Sequence, residues 1–141
     1  MTDSETVLAF DVGLARIGVA VGQSLTATAT PLTTLRADDA ELATNIAGLV
    51  AEWRPQRLLV GMPDDVGSPT SIREHIRAFA RGLERYAMPI HFVDESFSSR
   101  EAEARLRARR QAGGRRTQRA DIDAEAARII AEQWLTTGPP D

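Results

Sequence analysis

Apolar residues in this chain gather into short unbroken runs early on and into helical stripes later. Residues 7–12 are apolar except for Asp11, residues 17–22 form a second apolar run, and only Gly13-Leu14-Ala15-Arg16 separates them. Two such runs with so short a connection predict a β-hairpin. Residues 31–35 predict a weaker third strand, with Pro31 suited to its start or to a sheet edge. Leu42, Ile46, Leu49, Val50 and Trp53 then recur at the helical period, with Asp38 or Asp39 placed to cap that helix. Residues 58–61 and 90–93 read as short buried strands. Between them, Ser71-x-x-Glu74 reads as a capping box opening a helix with Ile72, Ile76, Phe79, Ala80 and Leu83 on one face. Ser98-x-x-Glu101 reads as a second capping box, opening an arginine-rich helix that stops near Gly113. A last helix is predicted over residues 121–135, followed by a frayed tail over 138–141.

The resulting order is β-β-β-α-β-α-β-α-α. Three strands joined by short turns make an antiparallel meander, and the helical crossovers place the later strands parallel to the first. The expected fold class is therefore α/β, with helices on the faces of a mixed sheet. A chain of 141 residues suits one domain, expected over residues 1–137.

Composition narrows the chemistry. There is no cysteine, which excludes disulfides, thiolate metal sites and thiol nucleophiles. All 17 basic residues are arginine, so a Walker-type phosphate loop and Schiff-base chemistry are excluded as well. No apolar run reaches membrane length and the first residues are polar, so a cytoplasmic protein without a membrane partner is expected. The formal net charge is −3, yet residues 100–120 carry eight arginines against two glutamates, a local balance of +6. Screening confines such a field to about 10 Å, so a local cluster attracts polyanions whatever the total charge. The plain alternative is a solvated helix face followed by a loop.

Four acids stand where burial should forbid them. Asp11 ends an otherwise apolar strand, and Asp94-Glu95 close the strand at 90–93. In a parallel arrangement these strand ends, with Gly61-Met62-Pro63, line one crevice, the usual ligand site of open α/β sheets. Gly13 removes a side chain where backbone and phosphate would meet. On the last helix Asp123, Ala127, Ile130 and Trp134 share one stripe, whereas an exposed acid belongs beside Asp121, Glu125, Arg128 and Glu132. Taken singly, Asp123 could merely favour the first helical turn and Asp11 could merely accept turn hydrogen bonds. Taken together, they favour a shared cation site. Oxygen ligands without cysteine or a suitably spaced histidine pair select a hard cation, Mg²⁺ or Mn²⁺. Carboxylate-held metal beside arginines suits phosphodiester hydrolysis. His75 and His91 read as satisfied structural histidines, and Asp64-Asp65 as a solvated loop.

Leu8-Ala9-Phe10-Asp11-Val12-Gly13 followed by Arg16-Ile17-Gly18-Val19-Ala20-Val21 resembles the opening motif of the YqgF/RuvX family. Leu59-Val60-Gly61-Met62-Pro63, Val93-Asp94-Glu95 and Ile122-Asp123-x-x-Ala126-Ala127 are similar to its later motifs, in the family's order and across residues 8–130. The resemblance implies an RNase H-like fold, with a five-stranded sheet in the order 3-2-1-4-5 and strand 2 antiparallel. It implies a catalytic, metal-binding trio of Asp11, Glu95 and Asp123, with Asp94 a neighbour. The implied substrate is structured nucleic acid: precursor 16S ribosomal RNA trimmed near its 5′ end, or branched DNA such as a Holliday junction. A non-catalytic RNA-binding role in ribosome assembly is the reading from another class. Gly13, Arg16, Arg100, Arg109, Arg110, Arg115, Arg116 and Arg119 are the expected nucleic-acid contacts, and a monomer or homodimer is expected. The chain departs from the family pattern at Ser96, at Asp121 and at Leu14-Ala15, where basic or polar residues are usual. An actin-like ATPase reading of Asp11-x-Gly13 fails because those proteins hold nucleotide between two such domains.

Overall fold

A computed structural model of the chain describes residues 5–63, 70–94 and 119–137. Three antiparallel strands come first, β1 (Thr6–Val12), β2 (Arg16–Gln23) and β3 (Thr28–Arg36). Helix α1 (Leu42–Trp53), strand β4 (Arg57–Met62), helix α2 (Thr70–Leu83), strand β5 (Ile90–Asp94) and helix α3 (Arg119–Thr137) follow. The strands form one sheet in the order β3-β2-β1-β4-β5. β1 runs antiparallel to β2 and parallel to β4, and β4 runs parallel to β5. The meander and crossovers expected from the sequence are therefore present.

Period-two alternation sends the central strands' side chains to two different layers. Leu8, Phe10, Val12, Ile17, Val19, Val21, Leu58 and Val60 point to one side, where Ile46 of α1 and Ile76, Ala80 and Leu83 of α2 close over them. Phe10 meets Phe79 edge to face at 5.4 Å between ring centres. Val7, Ala9, Leu59 and Val93 point to the other side and pack on Ile130, Ala131 and Trp134 of α3. On this second side β2 presents Gly18, Ala20 and Gly22 after Arg16 at its start, and α3 lies across β2, β3 and β1. A Cβ on Gly22 would come within 3.5 Å of the Ala131 Cβ, so strand and helix approach almost backbone to backbone.

Several local expectations change. β3 begins at Thr28 rather than at Pro31, and Pro31 sits beside a register shift opposite Val19 and Ala20. An edge strand with a bulge tolerates the missing N–H. Asp39 does not cap α1: its Oδ1 accepts from the Glu41 N–H at 2.9 Å, and Glu41 occupies the cap position without a side-chain bond. Thr70 already belongs to α2, so Ser71 lies inside the helix it was expected to cap. The last helix is longer than residues 121–135 at both ends. The arginine-rich helix from Ser98, the Asp64-Asp65 loop and the tail at 138–141 lie outside the described residues.

The largest correction concerns α3. Glu125, expected on a solvated face with Arg128 and Glu132, is buried at 6% exposure. Arg128 Nε and Nη2 donate to its two carboxylate oxygens, and Arg128 Nη1 donates to Glu132. Ile122, Ala126 and Ile129 form a further buried cluster on the same helix. A helix covered on more than one side needs its charges paired internally, and the i, i+3, i+4 spacing of 125, 128 and 132 does this.

Candidate functional site

The sheet directs the carboxyl ends of β1, β4 and β5 to one edge, which brings Asp11, Met62 and Asp94 there together. Asp11 is half-buried, in alternation with Val7 and Ala9, and so lies on the α3 side. Its partner across the β1–β2 ladder is Gly18. Gly18 is also where α3 touches the sheet: a Cβ there would stand 1.9 Å from the Asp123 carbonyl oxygen and 2.9 Å from the Ala124 nitrogen. Directly opposed strand residues are about 4.5–5.5 Å apart at Cα. One glycine is therefore where the Asp123 backbone and the ladder partner of Asp11, far apart in the chain, meet. Gly18 was missed by sequence reasoning. The signal for it was present in the row of small residues, Gly18, Ala20 and Gly22, facing Ala124, Ala127 and Ala131.

Asp123 sits at the fifth residue of α3, past the first turn, so the helix dipole does little for it. Its counter-charge comes instead from Arg16 at the start of β2, whose Nε donates to Asp123 Oδ2 at 2.7 Å. Arg16, expected as a nucleic-acid contact, is thus placed at the acids themselves. The turn that carries it is held from three directions. Gly13 N–H donates to the Arg16 carbonyl at 2.8 Å, and Ala37 N–H donates to the Ala15 carbonyl at 2.9 Å. From α2, His75 Nε2 donates to the Gly13 carbonyl at 3.2 Å. A Cβ on Gly13 would lie 2.9 Å from the Arg16 carbonyl oxygen, so turn packing by itself accounts for this glycine. Leu14 stands on the turn at 68% exposure.

Asp94 alternates with buried Val93 and is exposed on the sheet side opposite Asp11. Glu95, Arg100, Arg109, Arg110, Arg115 and Arg116 lie outside the described residues. Arg119 opens α3. Among the described residues no three acidic, histidine or cysteine side chains converge on one point. Asp11 and Asp123 supply carboxylate oxygens alone, a donor set that fits a hard divalent cation and not a soft one.

The two histidines serve structure. His91 Nε2 accepts from Arg57 Nη1 at 3.1 Å, and Arg57 Nε also donates to Glu5 Oε1 at 3.0 Å. The His91 ring leans on Trp134 at 5.4 Å, with Arg57 lying over the same indole. Burial, followed by the Arg57 charge, pushes the His91 pKa below its ordinary value.

A family model described as "RuvX: Holliday junction resolvase" matches residues 5–137. A Burkholderia pseudomallei (strain 668) protein named "Putative pre-16S rRNA nuclease" is 45% identical over 139 residues, covering 96% of this chain and 90% of its own. A Burkholderia cenocepacia (strain HI2424) protein of the same name is 44% identical over 133 residues, covering 92% and 88%. Among solved structures, T. thermophilus RuvC in complex with Holliday junction substrate superposes with a TM-score of 0.60 over 94% of each chain at 14% identity. At that identity the likeness is one of fold.

Proposed function

The chain belongs to the RuvX family, and from that membership we propose that it is a divalent-metal-dependent nuclease that hydrolyses phosphodiester bonds in precursor 16S ribosomal RNA near the 5′ end. The observation that carries this reading is the packing of the Asp123 backbone on Gly18, the ladder partner of Asp11 at the carboxyl end of β1. Asp11, Glu95 and Asp123 are the oxygen donors for Mg²⁺ or Mn²⁺. When bound, the metal supplies activation of water and neutralisation of the charge that develops at phosphorus. The protein's own part is to hold the scissile phosphate still. Arg16 lies close enough to Asp123 to share in that work. Gly13, Arg100, Arg109, Arg110, Arg115, Arg116 and Arg119 are assigned to the nucleic-acid backbone, where guanidinium groups bind phosphate in fork geometry. A single domain over residues 1–137 and a cytoplasmic location accord with ribosomal RNA as substrate. No described helix is long and apolar enough to cross a membrane.

The family description and the RuvC likeness favour a second substrate, a four-way DNA junction. End-labelled precursor ribosomal RNA and a synthetic junction, incubated in parallel with Mg²⁺ or Mn²⁺, decide between them. Cleavage of the RNA, lost in Asp11→Asn and in excess chelator, is the expected result. Undiminished turnover by Asp11→Asn, or cleavage that persists without divalent ions, overturns the site. Tight RNA binding without cleavage under every condition marks an assembly factor instead.

A further inference from the structure

The Asp123 backbone packs on Gly18, the ladder partner of Asp11, so both acids stand at the same end of the seam between α3 and β2. Arg16 supplies a counter-charge to Asp123. Its bond to Asp123 Oδ2 is made through Nε at 2.7 Å and not through the terminal fork, so the N–H groups of both Nη atoms are left for other partners. The pair is also partly open, with Arg16 34% and Asp123 21% exposed at the side chain. A pair of that exposure exchanges partners far more readily than a buried one. Arg36 stands directly opposite Arg16 in the β2–β3 register and is itself turned to Asp38 through Nε at 3.2 Å. Two arginines side by side disfavour each other, which lowers the cost of moving Arg16 away from the strand.

A divalent cation and the Arg16 guanidinium therefore seek the same carboxylate and repel each other at it. We propose that Arg16 is a placeholder for the cation. It neutralises Asp123 in the metal-free protein, gives up Oδ2 when a divalent ion is taken up, and is then free to bind a phosphate oxygen of the nucleic acid. The inference rests on the reading of Asp11 and Asp123 as a cation site. It adds that one residue guards the empty site and grips substrate in the filled one, so that metal uptake itself switches on a phosphate contact.

Calorimetric titration of the full chain with Mn²⁺ tests this in wild type, R16Q, R16K and D123N. R16Q is expected to bind Mn²⁺ roughly three- to tenfold more tightly than wild type, because a positive charge beside the ion is gone. R16K keeps the charge and is expected to stay within about twofold. In thermal unfolding, R16Q should be less stable than wild type without Mn²⁺ and gain more from saturating Mn²⁺. Equal or weaker binding by R16Q overturns the placeholder role, and weaker binding would instead make Arg16 a residue that positions Asp123 for the ion. D123N separates the two layers of the argument. If D123N binds Mn²⁺ like wild type, the cation site and the inference fall together. If D123N loses binding while R16Q does not tighten, the placeholder alone falls. A second readout needs no variant to fold: the Arg16 Nε–H resonance of ¹⁵N-labelled wild type should move towards that of solvent-exposed arginines on adding Mg²⁺. A resonance unmoved at saturation contradicts displacement.

Discussion

Gly18→Ala isolates the contact on which the acid pair depends. The new methyl group would lie 1.9 Å from the Asp123 carbonyl oxygen, 2.3 Å from its carbonyl carbon and 2.9 Å from the Ala124 nitrogen. All three are backbone atoms, so no rotamer change relieves the overlap. Helix α3 must back away from β2 by about 1 Å merely to reach a 3.0 Å contact. Overpacking of this kind costs about 1–3 kcal/mol, and a clash with rigid backbone belongs at the upper end. For a chain of this length, about 3 kcal/mol lowers Tm by roughly 10 °C. The same displacement carries Asp123 away from Asp11, so Mn²⁺ affinity should fall with stability. Gly22→Ala is the matched control on the same strand. Its methyl group would meet the Leu135 Cδ1 at 2.9 Å, the far end of a flexible side chain, and the Val7 Cγ2 at 3.1 Å, which need give only a few tenths of an ångström. That variant should lose about 1 kcal/mol or less and keep its Mn²⁺ affinity. Urea unfolding followed by circular dichroism, paired with Mn²⁺ titration, reads both quantities. If Gly18→Ala unfolds at the wild-type midpoint, or loses no more than Gly22→Ala, then strand–helix contact at this glycine does not set the position of Asp123.

Three further outcomes are expected. Gly48 is exposed in α1 with nothing within 4 Å of a Cβ, so Gly48→Ala should raise the urea midpoint by the equivalent of about 0.5–1 kcal/mol, and a lower midpoint would contradict it. His91 has a lowered folded pKa, so below about pH 6.5 the unfolded chain binds more protons than the folded one. Stability should therefore fall as the pH drops from that value towards the folded pKa and change no further on His91's account below it; His91→Phe should flatten this slope, and an unaltered slope assigns the effect elsewhere. Arg128→Ala strips the guanidinium from buried Glu125, with side-chain exposures of 13% and 8%, and should cost about 2–3 kcal/mol in the same unfolding assay. A loss below about 0.5 kcal/mol would show that Glu125 does not depend on Arg128.

Local pattern carried most of the fold. The apolar runs at β1, β2, β4 and β5 and the stripe of α2 are short-range features, and β-β-β followed by helical crossovers leaves few topologies to choose among. Boundaries were harder. Asp39 and Ser71 have the side chains of helix caps, but which N–H they reach depends on where the chain enters the helix, and tertiary contacts decide that. The acid stripe of α3 was half readable. Asp123 does face the sheet, yet Glu125 is buried too, because a helix covered on several sides has no single polar face to betray it. Hardest of all was the Arg16–Asp123 pair. It spans 107 residues, and nothing near Arg16 in the sequence distinguishes a guanidinium that binds phosphate from one that binds a carboxylate.

The alanine and glycine seam between α3 and β2 works as a spacer of minimum thickness. Ala127 and Ala131 are wholly enclosed, and an atom added to the seam that meets helix backbone rather than a side-chain end must be accommodated by tilting a helix nineteen residues long. A tilt pivoting near Trp134 is magnified at the far end, where Asp123 sits. The separation of the acids can thus be adjusted from a distance by methyl groups that touch neither metal nor substrate, much as a shim under one leg levels the other end of a table.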